Sequence, residues 1–180
     1  MAVREIIRMG HPTLRQVTPL LTKDEMTSDR IRQVATDLAD TLHDVGIGVG
    51  IAAPQINESV RMAIIELDGG ESRYGTLPTL PLTVFINPVV EVLDDTLQGL
   101  WEGCLSLPDL RGYVERPQRV KVTAYNLDGE QHQHEFEGLA SAVIQHELDH
   151  LDGKLFVDHV KNNTLLMFEK EFDQYIAPTL

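Results

Sequence analysis

The strongest constraint on the fold is a pair of histidines inside a segment with helical periodicity. Residues 138–151 carry apolar side chains at helical spacing, and Gly153 follows as a breaker. Within this segment, residues 145–150 read Gln-His-Glu-Leu-Asp-His. The i, i+4 spacing places His146 and His150 on one helix face, where both imidazoles can reach a single ion. If they bind a metal, the rest of the chain must build a pocket around this helix.

The residue between the histidines suggests chemistry as well as binding. Glu147 lies beside the ligand row, where its carboxylate can take a proton from a metal-bound water. The same pattern also arises by chance, and a solvated helix with unrelated histidines is the alternative. A catalytic divalent ion usually has three protein ligands and one open position, so a metal site requires one more ligand.

Cys104, the single cysteine of the chain, is the candidate for the third ligand. It lies in residues 102–108, which read Glu-Gly-Cys-Leu-Ser-Leu-Pro. Gly103 permits unusual backbone dihedrals and Pro108 prevents a helix from continuing, so we expect a rigid loop to present the thiol. A lone cysteine can also be a small buried hydrophobic residue. Its pairing with His-Glu-x-x-His favours the ligand.

The remaining periodicities predict a mixed fold. An amphipathic helix begins after the N-cap Ser28 and ends at Gly46, and an Asp128-Gly129 turn joins two strands that we expect to pair antiparallel. The other predicted elements are strands 61–67, 83–86, 120–124 and 131–137, a loop over 69–81, and helices over 138–151 and 162–175. The predicted fold class is α+β, one domain over residues 1–180 with antiparallel β-sheets packed around the central HExxH helix, plus the N-terminal amphipathic helix and a C-terminal helix.

Two further histidines belong to the strand over residues 131–137. His132 and His134 alternate on its outer face beside Glu135 and Glu137. We therefore predict that they are solvated surface residues and form no competing metal site.

Composition excludes several classes of function. The net charge of −13 and pI near 4.8 would repel phosphate backbones, which argues against nucleic-acid binding. No uncharged apolar run approaches the roughly 18 residues of a membrane span. The N-terminus lacks a secretory signal and a single cysteine fits a reducing compartment, so we expect a cytoplasmic protein with a small or peptidic substrate.

A third segment, residues 48–55, reads Gly-Val-Gly-Ile-Ala-Ala-Pro-Gln. Its glycines would let backbone approach a substrate closely, although a tightly packed turn would use the same residues. The spacing does not match a dinucleotide fingerprint, which would require glycine at position 53.

Taken together, residues 48–55, 102–106 and 145–150 resemble the three signature motifs of peptide deformylases, in the family's order. The resemblance implies that Cys104, His146 and His150 bind the metal and that Glu147 is the catalytic carboxylate. It also implies an oxyanion hole built from the Gln55 side-chain amide and the backbone N–H of Leu105. The substrate-binding residues implied in the same way are Val49, Gly50, Gly103, Arg111 and Val143, with Arg111 near the peptide's onward path.

The implied reaction removes the formyl group from the N-terminal formyl-methionine of nascent polypeptides and releases formate. One divalent ion is required; the family favours ferrous iron (Fe²⁺), while one thiolate and two imidazoles also suit Zn, Ni or Co. The chain departs from compact bacterial members in its longer 69–81 loop. A zinc endopeptidase and a non-catalytic metal-binding module are the alternatives. The first lacks the Glu-Gly-Cys-Leu-Ser segment, and the second would be expected to have lost Glu147 or Gln55.

The implied partners are N-formylmethionyl peptides, with a transient ribosome contact left open. Some members reach ribosomal RNA through a basic C-terminal helix, but residues 161–180 contain two lysines against three acidic residues. We therefore expect no ribosome contact through this helix. Instead we expect it to pack against the body through its apolar residues, Leu165, Leu166, Phe168 and Phe172.

Overall fold

The computed structural model describes residues 2–46, 48–72 and 75–180, which form a mixed α and β fold. The strands are β1 (Gly50–Ala52), β2 (Met62–Ser72), β3 (Gly75–Cys104), β4 (Leu107–Tyr125), β5 (Gln131–Glu137) and β6 (Leu166–Phe168). The α-helices are α1 (Lys23–Met26), α2 (Asp29–Val45), α3 (Gly138–Asp149) and α4 (Glu169–Glu171). Short 3-10 helices span Pro12–Arg15, Ala53–Ile56, Phe156–His159, Asn163–Leu165 and Ala177–Thr179, and a π-helix spans Phe172–Ile176.

All strand pairings in the sheet are antiparallel, in the order β1-β2-β3-β4-β5, with β6 pairing to β4. This arrangement confirms the predicted α+β class. Within the described residues, no helix is long and apolar enough to cross a membrane.

Helix α2 forms where the sequence predicted it. The Ser28 hydroxyl accepts a hydrogen bond from the Ile31 N–H at 3.4 Å, and the helix ends at Gly46, whose φ of 70° is the left-handed conformation that glycine favours. Its apolar face packs against β1, β2 and the turn between them. The buried residues of this cluster are Met26, Ile31, Val34, Ala35, Leu38, Leu42, Ile51, Ala53, Ile56, Val60, Met62, Ile64 and Ile86.

Helix α3 contains His146, is capped at its C-terminus by His150, and packs against the sheet. Its apolar residues Ala140, Ile144 and Leu148 belong to a buried cluster with side chains of β2, β3, β4 and β5, including Phe85 and Val120. Burial of this stripe fixes the rotation of the helix and thus the direction of its polar residues. The helix begins at Gly138, as predicted, and the chain leaves it through a turn at Gly153, whose φ is 69°.

Strands β3 and β4 form a long hairpin that reaches the motif cysteine. The pairing runs from Ile86 opposite Tyr125 to Cys104 opposite Leu107, which leaves a two-residue turn at positions 105 and 106. The predicted rigid loop around the cysteine is therefore the end of this hairpin. Both strands are much longer than predicted, because several register shifts interrupt the period-2 pattern on which strand prediction depends.

The predicted loop over residues 69–81 is wrong. Its described residues continue β2 and β3 as a hairpin, with Leu67 opposite Leu80 and Glu71 opposite Thr76; Arg73 and Tyr74 lie outside the described residues. Gly69 and Gly70 adopt φ values of 78° and 107°, which are not those of a regular strand. Glycine is also uncommon inside strands, so the residues of this part of β2 do not predict one. Pairing with the opposite strand, which sequence periodicity does not reveal, overrides the local preference.

The predicted solvation of His132 and His134 is also wrong. Both side chains are partly buried, with ring centroids 5.4 Å and 5.8 Å from the ring of Phe85. The ring of His132 also lies 3.0 Å from the Val84 carbonyl oxygen through Nε2. They share the inner face of β5 with buried Phe136. The predicted alternation of the strand is therefore present, but the face that carries the histidines points inward and not toward solvent.

The predicted helix over residues 162–175 is wrong in its first half. Asn163–Leu165 form a short 3-10 helix, and Leu166–Phe168 form β6, paired with Leu110–Gly112 of β4. The α-helical turn begins only at Glu169. The free edge of β4 offers hydrogen bonds that a helix could not use. Packing against the body is confirmed for Phe172, which is 3% exposed with its ring 5.2 Å from that of Trp101; Phe168 is 64% exposed.

The docking of the C-terminal segment provides a stability test. We expect Phe172→Ala to lower the free energy of unfolding by about 3 kcal/mol, because it empties a buried aromatic site. The control Tyr175→Ala, at a side chain that is 63% exposed, should change it by less than about 0.5 kcal/mol. Denaturant unfolding followed by tryptophan fluorescence measures both. Equal losses in the two variants would contradict the docking.

Candidate metal centre and active site

Three predicted ligands converge at one point between the β3–β4 hairpin and α3. Ligand atoms of Cys104, His146 and His150 all lie within 4.8 Å of one another. The Cys104 Sγ is 3.4 Å from His150 Nε2, and the two imidazole rings are nearly perpendicular, at 84° with centroids 5.2 Å apart. Helix α3 and its C-cap residue supply two donors and the hairpin end supplies the third, as the spacing and the loop residues predicted. This donor set can hold a metal ion.

The orientation of His146 leaves one ring nitrogen available to an ion. Its Nδ1 lies 2.8 Å from the Oε2 of Glu102, and its ring stacks at 19° on Phe156 with a centroid distance of 6.3 Å. A carboxylate on the far nitrogen fixes the ring and raises the basicity of the near one. Nε2 is consequently the nitrogen that faces Cys104.

The electrostatics of the two histidines fit a cation between them. Burial, and repulsion by His146, lower the pKa of His150 to about 3, so this imidazole is neutral and has a lone pair to offer. Burial would also lower the pKa of His146, but hydrogen bonds with Cys104 and Glu102 outweigh it and raise that pKa. These partners favour a positive charge at this point, which a divalent ion would satisfy.

Glu147 lies beside the ligands with an unpaired oxygen. The residue is 7% exposed, and burial raises its pKa to about 7. Its Oε2 is buried and has no hydrogen-bond partner among the described residues. A Cβ added to Gly50 would lie 2.7 Å from the Glu147 Cγ, so only glycine leaves room for the carboxylate. Glu147 can therefore exchange a proton inside a largely buried site.

The amide of Gln55 points its donor side into the site. Its Oε1 accepts a hydrogen bond from the Ala52 N–H at 2.8 Å, which fixes the amide orientation. Its Nε2 lies 3.3 Å from the Ser106 Oγ and 3.6 Å from the Cys104 Sγ. Leu105 is the first residue of the hairpin turn, directly after the cysteine, and lines the same cavity. The structure thus brings both predicted oxyanion donors next to the ligands.

Sequence reasoning missed a buried ionic network behind the ligands. Arg116, 4% exposed, donates to both oxygens of Glu102, at 2.5 and 3.0 Å, and to Asp149 at 2.8 Å. Asp149 also lies 2.9 Å from His159 Nε2. Burial would raise the pKa of Glu102, but hydrogen bonds with His146 and Arg116 lower it to about 2. Glu102 and Asp149 belong to the motif segments, yet only the fold reveals the arginine that joins them.

A cavity of about 460 Å³ opens onto the ligands. It is lined by all five predicted substrate-binding residues, Val49, Gly50, Gly103, Arg111 and Val143. Its wall also contains residues that the sequence did not single out, among them Leu100, Trp101, Leu139, Ala142 and Glu169. The wall thus combines apolar side chains with charged ones, among them Arg111 and Glu169.

Comparison with known proteins agrees with this geometry. A family model described as polypeptide deformylase matches residues 3–165. The chain is 42% identical over 173 residues to peptide deformylase 1 of Prochlorococcus marinus (strain MIT 9313), covering 96% of this chain and 88% of that protein.

Solved structures give the same result. A class I type b peptide deformylase from Acinetobacter baumannii superposes with a TM-score of 0.82 at 33% identity. The match covers 89% of this chain and 100% of the Acinetobacter chain. A Met-Ala-Ser-bound structure of that type from the same organism gives a TM-score of 0.80 at 33% identity, covering 88% and 99% of the two chains. By sequence, structure and site, this chain belongs to the polypeptide deformylase family.

Proposed function

We propose that this chain, acting as one catalytic domain over residues 1–180, removes the formyl group from N-terminal formyl-methionine through Glu147, Gln55 and Leu105. The observation that carries the proposal is the convergence of a Cys104–His146–His150 donor set with an unpaired buried carboxylate in one cavity. Family membership supplies the reaction class, and the geometry supports the individual roles.

The donor set fits one divalent ion, and we propose ferrous iron. One thiolate and two imidazoles form a mixed soft and borderline site that also suits Zn, Ni or Co. When bound, such an ion supplies Lewis acidity and lowers the pKa of water. Glu102 and Arg116 would keep the His146 ring in its ligating orientation.

Glu147 is the proposed proton carrier. A pKa of about 7 lets the carboxylate accept a proton from the attacking water and return it to the leaving amine near neutral pH. Its unpaired Oε2 faces no competing donor among the described residues. Proton transfer in both directions through one group completes the hydrolysis.

Gln55 and Leu105 are the proposed oxyanion donors. As the formyl carbon becomes tetrahedral, negative charge grows on its oxygen, and the Gln55 Nε2 and Leu105 N–H would stabilise that charge. The bond from Ala52 to the Gln55 Oε1 holds the amide in this orientation before substrate arrives. Preorganised donors of this kind act mainly on the transition state.

The proposed substrate is an N-formylmethionyl peptide in the cytoplasm. Val49, Gly50 and Val143 would border the methionine side chain, with Gly103 and Arg111 along the onward path. The Acinetobacter neighbour bound to Met-Ala-Ser supports a peptide of this size. We expect any ribosome contact to be transient, because the C-terminal segment is not basic and packs on the body.

Removal of any one ligand should remove the metal. We expect Cys104→Ala, His146→Ala and His150→Ala each to bind less than about a tenth of the metal held by the unaltered protein, because a catalytic site has only three protein ligands. Elemental analysis after desalting measures the content, with far-UV circular dichroism as the folding control. Full occupancy in Cys104→Ala would exclude the thiol as a ligand.

Replacing the proton carrier should separate binding from catalysis. We expect Glu147→Gln to retain the metal and to lose at least about a hundredfold in kcat for formate release from formyl-Met-Ala-Ser, because an amide cannot accept the proton. Formate release and metal content are measured on the same preparation. A metal-loaded variant with near-normal kcat would contradict the assigned role.

The oxyanion donor should affect kcat more than KM. We expect Gln55→Leu to lower kcat by about two to three orders of magnitude, the usual cost of one such donor. Steady-state kinetics with formyl-Met-Ala-Ser separates the two parameters. If only KM rises, Gln55 binds substrate uniformly and is not an oxyanion donor.

A further inference from the structure

The side chain of Arg111 lies across the backbone next to the metal ligand. A Cβ added to Gly103 would lie 1.9 Å from the Arg111 Nη1 and 2.7 Å from its Cζ. The guanidinium therefore covers the residue just before Cys104, in the wall of the cavity. Its side chain is 33% exposed, so it is accessible to a bound peptide. Arg111 is the sole arginine or lysine in the cavity wall among the described residues.

This guanidinium already has a partner from the C-terminal segment. Arg111 donates through Nη2 to the Oε1 of Glu169, whose side chain is 38% exposed. Pairing of β6 with β4 fixes the position of Glu169, because Met167 lies directly opposite Arg111 in the ladder. The position of the Glu169 carboxylate beside Arg111 is therefore fixed by the pairing of β6 with β4.

The charge balance at this end of the cavity is negative. Asp109, Arg111 and Glu169 are the partly or fully exposed charged residues of the wall next to β6, with a net charge of −1. The other two wall carboxylates face the ligands: Glu102 is paired with Arg116, and Glu147 is buried. An incoming peptide would meet an arginine whose charge is already neutralised.

We propose that Glu169 is a specificity-determining residue that pairs with Arg111 and so disfavours acidic residues after the formyl-methionine. The inference rests on the proposed function and deepens it by assigning a role in substrate choice to a residue outside the three motif segments, Glu169. With Glu169 in place, an acidic peptide side chain must displace a carboxylate to reach Arg111. A basic side chain instead meets Asp109 and Glu169.

A purely structural role for the same ion pair makes a different prediction. If Glu169 only anchors the C-terminal segment, its loss would affect all peptides alike, through stability or through kcat. If it sets specificity, its loss changes the ratio of kcat/KM between peptides of opposite charge. That ratio is independent of the fraction of active enzyme.

The experiment compares formyl-Met-Glu-Glu amide with formyl-Met-Lys-Lys amide, using formyl-Met-Ala-Ser amide as the neutral reference. For Glu169→Gln we expect the acidic-to-basic ratio of kcat/KM to rise about five- to tenfold at low ionic strength, and less at high salt because screening weakens such contacts. The matched control is Glu171→Gln, which makes the same charge change at an exposed residue outside the cavity wall. We expect it to shift the ratio by less than about twofold.

A second pair of variants tests whether the effect of Glu169 on the kcat/KM ratio depends on Arg111. In an Arg111→Leu background with verified metal content and melting temperature, Glu169→Gln should change the ratio much less than it does alone. An unchanged ratio in the single Glu169→Gln variant, or an equal shift in Glu171→Gln, would overturn the inference while leaving the deformylase activity intact. If the metal-loaded unaltered protein releases no formate from any of the three peptides, the proposed function itself fails.

Discussion

The buried carboxylate of Glu102 joins the two parts of the molecule that make the site. It accepts hydrogen bonds from the Nε and Nη2 of Arg116 and lies 2.8 Å from the His146 ring, so the β3–β4 hairpin is tied directly to α3. A buried ion pair of this kind adds little to stability but fixes geometry, because each partner is costly to leave unpaired. Cys104 lies two residues farther along β3, and its position relative to the histidines follows from the same contact.

Close backbone approach is the second condition for the site. Gly50 gives Glu147 room that a methyl group would remove, and the Ala52 N–H orients the amide of Gln55. These groups belong to the short β1 strand and the turn that follows it, and residues 50–56 are all buried. Burial therefore does two things at once: it holds the donors in place and raises the pKa of Glu147 toward neutrality.

Local sequence patterns predicted those elements whose form depends on neighbouring residues alone. Helix α2 begins and ends at its predicted cap residues, and α3 follows from its helical periodicity. The length of the β3–β4 pairing and the paired strands within residues 69–81 could not be predicted in this way, because strand pairing is a contact between distant segments. The C-terminal segment shows the same limit: its apolar residues fit a helix, yet the open edge of β4 draws Leu166–Phe168 into the sheet.

For the site, the sequence by itself determined which side chains are the candidates for the proposed chemistry. The i, i+4 spacing of His146 and His150, with the single cysteine, indicated the donor set and placed Glu147 beside it. The motif resemblance added Gln55. Tertiary structure alone decided what surrounds them: Arg116 behind the ligands and Glu169 at the cavity wall come from segments without a local motif. Spacing along the chain reveals a shared helix face, whereas a contact across the sheet depends on a register that only packing fixes.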